Sequence, residues 1–111
     1  MKTSSFKISG TDPKAVAISR TIPDWYVGLR CVDLAPPWNM LHLGKTGMIK
    51  EFTWRYQNEV LVRLNPREVY ETLEDRILVC WEDPGEFCHR RLVAEWIEAD
   101  VDVVVDEVTV G

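Results

Sequence analysis

The sequence predicts a small single α/β domain over residues 1–111, built on a central, largely parallel sheet of about four strands flanked by helices. Three observations carry that reading. Ile77-Leu78-Val79-Cys80-Trp81 is a short unbroken apolar run, the pattern of a strand covered on both faces, and Asp83-Pro84-Gly85 ends it with turn-forming residues. Beyond the turn, Leu92, Val93, Trp96 and Ile97 recur at spacings of three and four, which puts them on one face of a helix. At 111 residues with 46% apolar content, the chain has material for one core and too little for two.

Composition removes several classes of function. A formal net charge of -5 argues against sequence-independent binding to duplex nucleic acid, which depends on a basic face. Arg20, Arg30, Arg90 and Arg91 still allow a local basic pocket in an otherwise acidic protein. No apolar run approaches the length of a membrane span, and Met1 to Phe6 lacks the apolar core of a secretory signal, so a cytoplasmic location is expected. The odd cysteine count, Cys31, Cys80 and Cys88, agrees: reduced thiols are the default there.

Taken in order, Phe6 and Ile8 alternate with polar residues, Gly10 to Pro13 interrupt, and Ala15 to Ile18 resume. This predicts two short strands around a turn. Residues 21–45 form an irregular, aromatic and proline-rich stretch in which Pro23, Pro36 and Pro37 break regular structure while Trp25, Tyr26 and Trp38 supply apolar anchors. Such a loop either lids a neighbouring site or roofs the core. Asn39 to Leu43 adds a helical turn. From Ile49, the residues Phe52, Tyr56, Val60, Leu61 and Leu64 follow helical spacing. Asn65 then caps a second short helix that has Pro66 at its first position and Glu68 at its third, with Val69, Tyr70 and Leu73 on its apolar face. The valine-rich acidic tail, residues 100–111, offers a last strand at Val103 to Val105, with Val108 to Val110 frayed or at an edge.

Chemistry concentrates between Arg76 and Ala99. Cys88, His89 and Arg90 fall in the first turn of the helix, just past the strand's carboxyl end, where an α/β sheet binds ligands. A helix N-terminus beside His89 and Arg90 lowers a thiol's pKa, making Cys88 a candidate nucleophile; a plain buried thiol is the bland reading. Arg90 and Arg91 oppose the helix dipole unless an anion offsets them, so one of them is expected to face a ligand or a carboxylate. Glu82 is placed to pair with Arg90 or to orient His89. Cys80, Glu82, Cys88 and His89 are metal-ligand types, but without the paired short gaps of structural zinc sites, so no metal is assigned; Cys80, Cys88 and His89 are the outside candidates. A Cys80–Cys88 disulfide requires the strand end and helix start to touch, and in a cytosolic chain it would act as a redox switch. The glycine-rich loops of phosphatases, sulfurtransferases and nucleotide-binding folds are missing, and no cofactor is implied.

The residues Leu78 to Glu82, Pro84 to Arg90 and Leu92 to Trp96 resemble the signature of the domain-of-unknown-function 488 family. Upstream, Ile18-Ser19-Arg20, Pro23 with Trp25-Tyr26, Leu34 to Trp38 and the Phe52 to Pro66 stretch resemble a short branch of it. The resemblance implies a small α/β domain with a largely parallel sheet and matches Cys80, Glu82, Cys88, His89 and Arg90 to the family's hallmark positions; it brings no established activity.

The leading expectation is a cleft between the Trp81–Arg90 turn and the Ile22–Trp38 loop that binds an anionic small molecule or nucleotide-like group through Arg20, Trp25, Trp38 and Arg90. Its sharper form is thiol chemistry at Cys88 with His89 as base and Glu82 orienting it. Two alternatives are a protein-interaction module in which the cluster is structural, with exposed aromatics docking a partner, and a transition-metal site. Whether the chain is an enzyme is left open by its sequence.

Overall fold

The computed structural model describes residues 1–110; Gly111, the end of the expected tail, lies outside the described residues. Among the described residues five parallel strands form one sheet in the order β3-β2-β4-β1-β5. They are β1 (Lys2–Ser5), β2 (Ala15–Ala17), β3 (Leu29–Arg30), β4 (Ile77–Cys80) and β5 (Asp106–Glu107). The helices are α1 (Phe6–Ser9), α2 (Trp38–Lys45), α3 (Ile49–Arg55), α4 (Pro66–Leu73) and α5 (His89–Asp100). None among the described residues is long and apolar enough to cross a membrane.

β4 is inserted between β1 and β2, pairing Ser5 with Cys80 and Ala17 with Val79. Its neighbours satisfy its backbone on both edges, which is why an unbroken apolar run is stable there. Side chains alternate across the pleat. Val16, Ile18 and Leu78 enter the larger core, with Leu34, Met40, Phe52, Tyr56, Leu61, Val93 and Ile97. Ala15, Ala17 and Val79 enter the smaller one, closed by Phe6 and Tyr26. Trp25 packs edge-on to Phe6, at 6.4 Å between ring centroids, so this part of the loop roofs the core.

Several local expectations shift. Phe6 and Ile8 belong to α1 and not to a strand: the strand is the preceding Lys2–Ser5, and Ser5 caps the helix by accepting a hydrogen bond from the Ile8 N–H at 3.2 Å. Alternation over three residues does not separate a strand from one helical turn. The irregular stretch contributes a two-residue strand, Leu29–Arg30, whose hydrogen bonds to β2 its sequence does not advertise. The last strand is Asp106–Glu107 and not Val103 to Val105: Val105 is buried in the core while Glu107 pairs in register with Thr3. The helical stretch from Ile49 runs as α3, loosens into a π-helical turn at Tyr56–Val60 and tightens into a 3-10 turn at Leu61–Arg63. Asn65 caps α4 as its residue type requires, accepting from the N–H groups of Arg67 and Glu68 at 3.0 and 3.2 Å.

Candidate functional site

At the carboxyl edge of the sheet a cleft of about 510 Å3 opens between β4, the α5 N-terminus and α2. Its floor is Cys80, Cys88 and His89. The segment after β2 lines it with Ser19, Arg20 and Thr21, α2 with Leu41, Gly44 and Lys45, α3 with Phe52, and the turn from β4 into α5 with Trp81, Glu82, Glu86 and Phe87. The turn from β4 into α5 depends on Gly85, whose φ of +90° is in the left-handed region that favours glycine. The Glu86 carboxylate holds the same turn by accepting from the Asp83 N–H at 3.0 Å. Trp81 ties the turn to the segment after β2, donating its indole N–H to the Thr21 carbonyl at 3.0 Å.

Cys80 ends β4 and Cys88 occupies the N-cap position of α5, so the strand end and helix start meet and the two sulfurs are joined in a disulfide. Cys31 is free and partly buried elsewhere. His89 is buried against Tyr56, 5.3 Å between ring centroids, and its Nε2 lies 2.7 Å from the Ile18 carbonyl. A carbonyl only accepts, so Nε2 carries the proton and Nδ1 is left with a lone pair directed at Cys88 Sγ, 3.8 Å away. Burial lowers the His89 pKa to about 4, the Ile18 carbonyl opposes that shift, and the positive charge of Arg90 adds to it. The ring is therefore neutral at neutral pH.

Arg90 is fully buried and lies beneath the cleft floor. Its Nη2 donates to Glu107 Oε2 at 2.7 Å, its Nε to the same carboxylate, and its Nη1 to Cys80 Sγ at 3.0 Å and the Glu82 carbonyl at 2.8 Å. The carboxylate that offsets the dipole-opposing arginine is thus Glu107, not Glu82. Burial alone would raise the Glu107 pKa, but the hydrogen bonds from Arg90 and Thr3 and the charges of Arg90 and Arg91 outweigh it and hold the carboxyl below its usual range. Arg91 donates to Thr3 Oγ1 at 2.7 Å and to the Val105 carbonyl at 3.0 Å.

The structure brings Arg20, Cys80, Glu82, Cys88 and His89 to one cleft and leaves Trp25, Trp38 and Arg90 outside its lining. Trp25 covers the small core, Trp38 opens α2 at 66% exposure, and Arg90 serves the internal ion pair. Glu82 lines the cleft but does not orient His89; its carbonyl, not its carboxylate, enters the network. Phe87 falls within the Trp81–Arg90 turn that the sequence assigns to the cleft; among the residues that sequence reasoning missed are Leu41, Gly44 and Lys45, beyond the Ile22–Trp38 loop, and Phe52, which reads only as a core residue of α3.

Arg20 differs from Arg90 in its partners. Its Nε and Nη2 donate to the carbonyls of Pro36 and Ala35 at 3.1 and 3.3 Å. Among the described residues no carboxylate pairs with it. No protein-family model, curated protein or solved structure matches the chain.

Proposed function

We propose that the cleft receives a small anionic or nucleotide-like ligand and presents it to the Cys88–His89 floor. The observation that carries this reading is Arg20: a half-buried guanidinium on the cleft wall, clamped by two carbonyls and paired with no carboxylate among the described residues. A fixed cation with spare donors suits a phosphate or carboxylate group. Lys45 also lines the cleft and supplies a second positive charge, and the cleft volume, about 510 Å3, is in the range of small-molecule sites.

The thiol chemistry belongs to the reduced state. There both sulfurs line the cleft, and Cys88 is the one that stands beside the neutral His89 Nδ1, its proton acceptor, at 3.8 Å. The motif Cys80, Glu82, Cys88, His89 and Arg90 supports a distant kinship with the domain-of-unknown-function 488 family.

Iodoacetamide labelling of the reduced chain tests the reading. Cys88 is expected to label ahead of Cys80, and AMP or inorganic phosphate is expected to slow labelling of Cys88 without slowing that of Cys31. Arg20→Gln should remove that protection. Equal labelling of Cys88 with and without either anion would overturn it. Protection retained in Arg20→Gln would place the anion elsewhere.

A further inference from the structure

The cleft floor carries a donor set that anion binding at Arg20 does not use, and a metal held there would replace free-thiol chemistry at Cys88. The sulfurs of Cys80 and Cys88 and a ring nitrogen of His89 all lie within 4.8 Å of one another, and all three residues are buried. We propose that the reduced Cys80–Cys88 pair and His89 Nδ1 form a three-ligand site for one zinc ion, with its fourth position open to the cleft.

Four observations carry this, none of which depends on the ligand-binding reading above. The first is the donor set. Two thiolates and an imidazole are a recurrent zinc combination, and with three protein ligands the fourth position remains for water or another molecule.

The second is the histidine. Its Nε2–H is committed to the Ile18 carbonyl at 2.7 Å, which fixes the tautomer and turns the Nδ1 lone pair toward Cys88 Sγ. Metal-ligating histidines are oriented in this way by a second hydrogen bond to a carbonyl or carboxylate. The present 3.8 Å between Nδ1 and Sγ is close to the roughly 3.5 Å that tetrahedral bonds of about 2.0 and 2.3 Å produce.

The third is the spacing of the cysteines. Their α-carbons stand 7.6 Å apart, wider than the roughly 4.4–6.8 Å usual for disulfide partners. Two thiolates sharing an ion span that distance readily, with their sulfurs about 3.8 Å apart by tetrahedral geometry.

The fourth is charge. Arg90 Nη1 donates to Cys80 Sγ at 3.0 Å, supporting a thiolate there, while Glu107 already neutralises Arg90. Two thiolates buried beside that neutral pair need a dication to balance them, and zinc supplies it.

The disulfide and the zinc site exclude each other, because each uses both sulfurs. Reduction of the disulfide takes two electrons and two protons from a thiol reductant. Zinc binding then displaces the two thiol protons to solvent and leaves neutral His89 to donate its lone pair. The site is thus filled only when the chain is reduced.

Cobalt substitution in the untagged full chain tests the proposal. Reduced protein is expected to bind one Co2+ per chain with sulfur-to-cobalt charge-transfer absorption and the visible bands of tetrahedral cobalt, and one equivalent of Zn2+ should displace it. The disulfide form should show neither. Cys88→Ser is expected to fold, because serine is a preferred residue at the N-cap position Cys88 occupies, and to weaken binding at least about tenfold. His89→Gln should weaken it similarly, and Cys31→Ser should bind as the parent does. A reduced chain with its thiols titratable but no charge-transfer band would overturn the proposal. So would a cobalt affinity in Cys88→Ser equal to the parent's.

Discussion

Arg20 and Arg90 stand at the same edge of the sheet, yet their surroundings assign them opposite work. Arg90 is buried, and its three nitrogens are directed at the Glu107 carboxylate, Cys80 Sγ and the Glu82 carbonyl. Arg20 is half-exposed, held by two loop carbonyls and paired with no carboxylate among the described residues. A guanidinium whose donors are consumed internally fixes structure, whereas one with donors to spare beside a cleft is available to a ligand. The position of an arginine next to a cysteine-histidine pair therefore says little about its role until its partner is known. The partner of Arg90 is seventeen residues away in the chain.

The largest expected effect is on the closed side of that contrast. Glu107→Gln leaves the Arg90 guanidinium buried without its counterion and should cost about 3–5 kcal/mol in chemical denaturation. A double variant, Arg90→Met with Glu107→Leu, should recover most of that loss, since replacing both partners removes the unpaired charge. If Glu107→Gln alone unfolds at the parent's denaturant midpoint, the ion pair is not what holds the tail to α5.

Acid should reveal the next effect. Unfolded His89 takes up a proton near pH 6.5, while the folded ring resists protonation until about 4. The unfolded state thus binds more protons across that window, and stability should fall by roughly 3 kcal/mol as pH drops from about 6.5 to about 4. Glu107, whose folded pKa lies below its usual value, adds a second contribution that is present above the unfolded carboxyl pKa and is lost as pH falls through the folded one. His89→Gln should flatten the upper part of the profile and leave the carboxylate part in place.

The open side of the comparison should respond in affinity more than in stability. Arg20→Gln gives up two part-buried hydrogen bonds to carbonyls, a cost of about 1–2 kcal/mol, but should weaken anion binding at least about tenfold. Lys45→Gln is exposed and should alter folding by less than about 0.5 kcal/mol while also weakening the anion. Smallest of all, Trp38→Ala should change stability by about 0.5 kcal/mol or less and leave cleft binding intact, because the side chain is largely in solvent outside the lining. An effect of Trp38→Ala on anion affinity would return this aromatic to the site.

The sequence made the centre of the molecule legible and its edges less so. β4 is readable because an apolar run followed by proline and glycine has few other solutions, and α4 because Asn65, Pro66 and Glu68 state their capping roles directly. Cys80, Cys88 and His89 converge as their positions at a strand end and a helix start require. What the sequence hides are choices made by long-range partners. Glu107 sits in an acidic, valine-rich tail where nothing distinguishes it from Asp102, Asp106 or its other neighbours until β5 pairs with β1 and carries it to Arg90. His89 is oriented by the Ile18 carbonyl, and a backbone group has no sequence signature. β3 exists because Val16 and Ala17 offer a free edge, while its own Leu29 and Arg30 are exposed.

The central question for this molecule is whether the cleft is a ligand site that Arg20 commands. Amide chemical-shift mapping of 15N-labelled chain titrated with AMP measures that directly. Saturable shifts are expected at Ser19 to Thr21, Gly44 to Lys45 and Phe87 to His89, and these should vanish in Arg20→Gln while the rest of its spectrum stays folded. Shifts confined to other surfaces, or unchanged cleft shifts in Arg20→Gln, would contradict it.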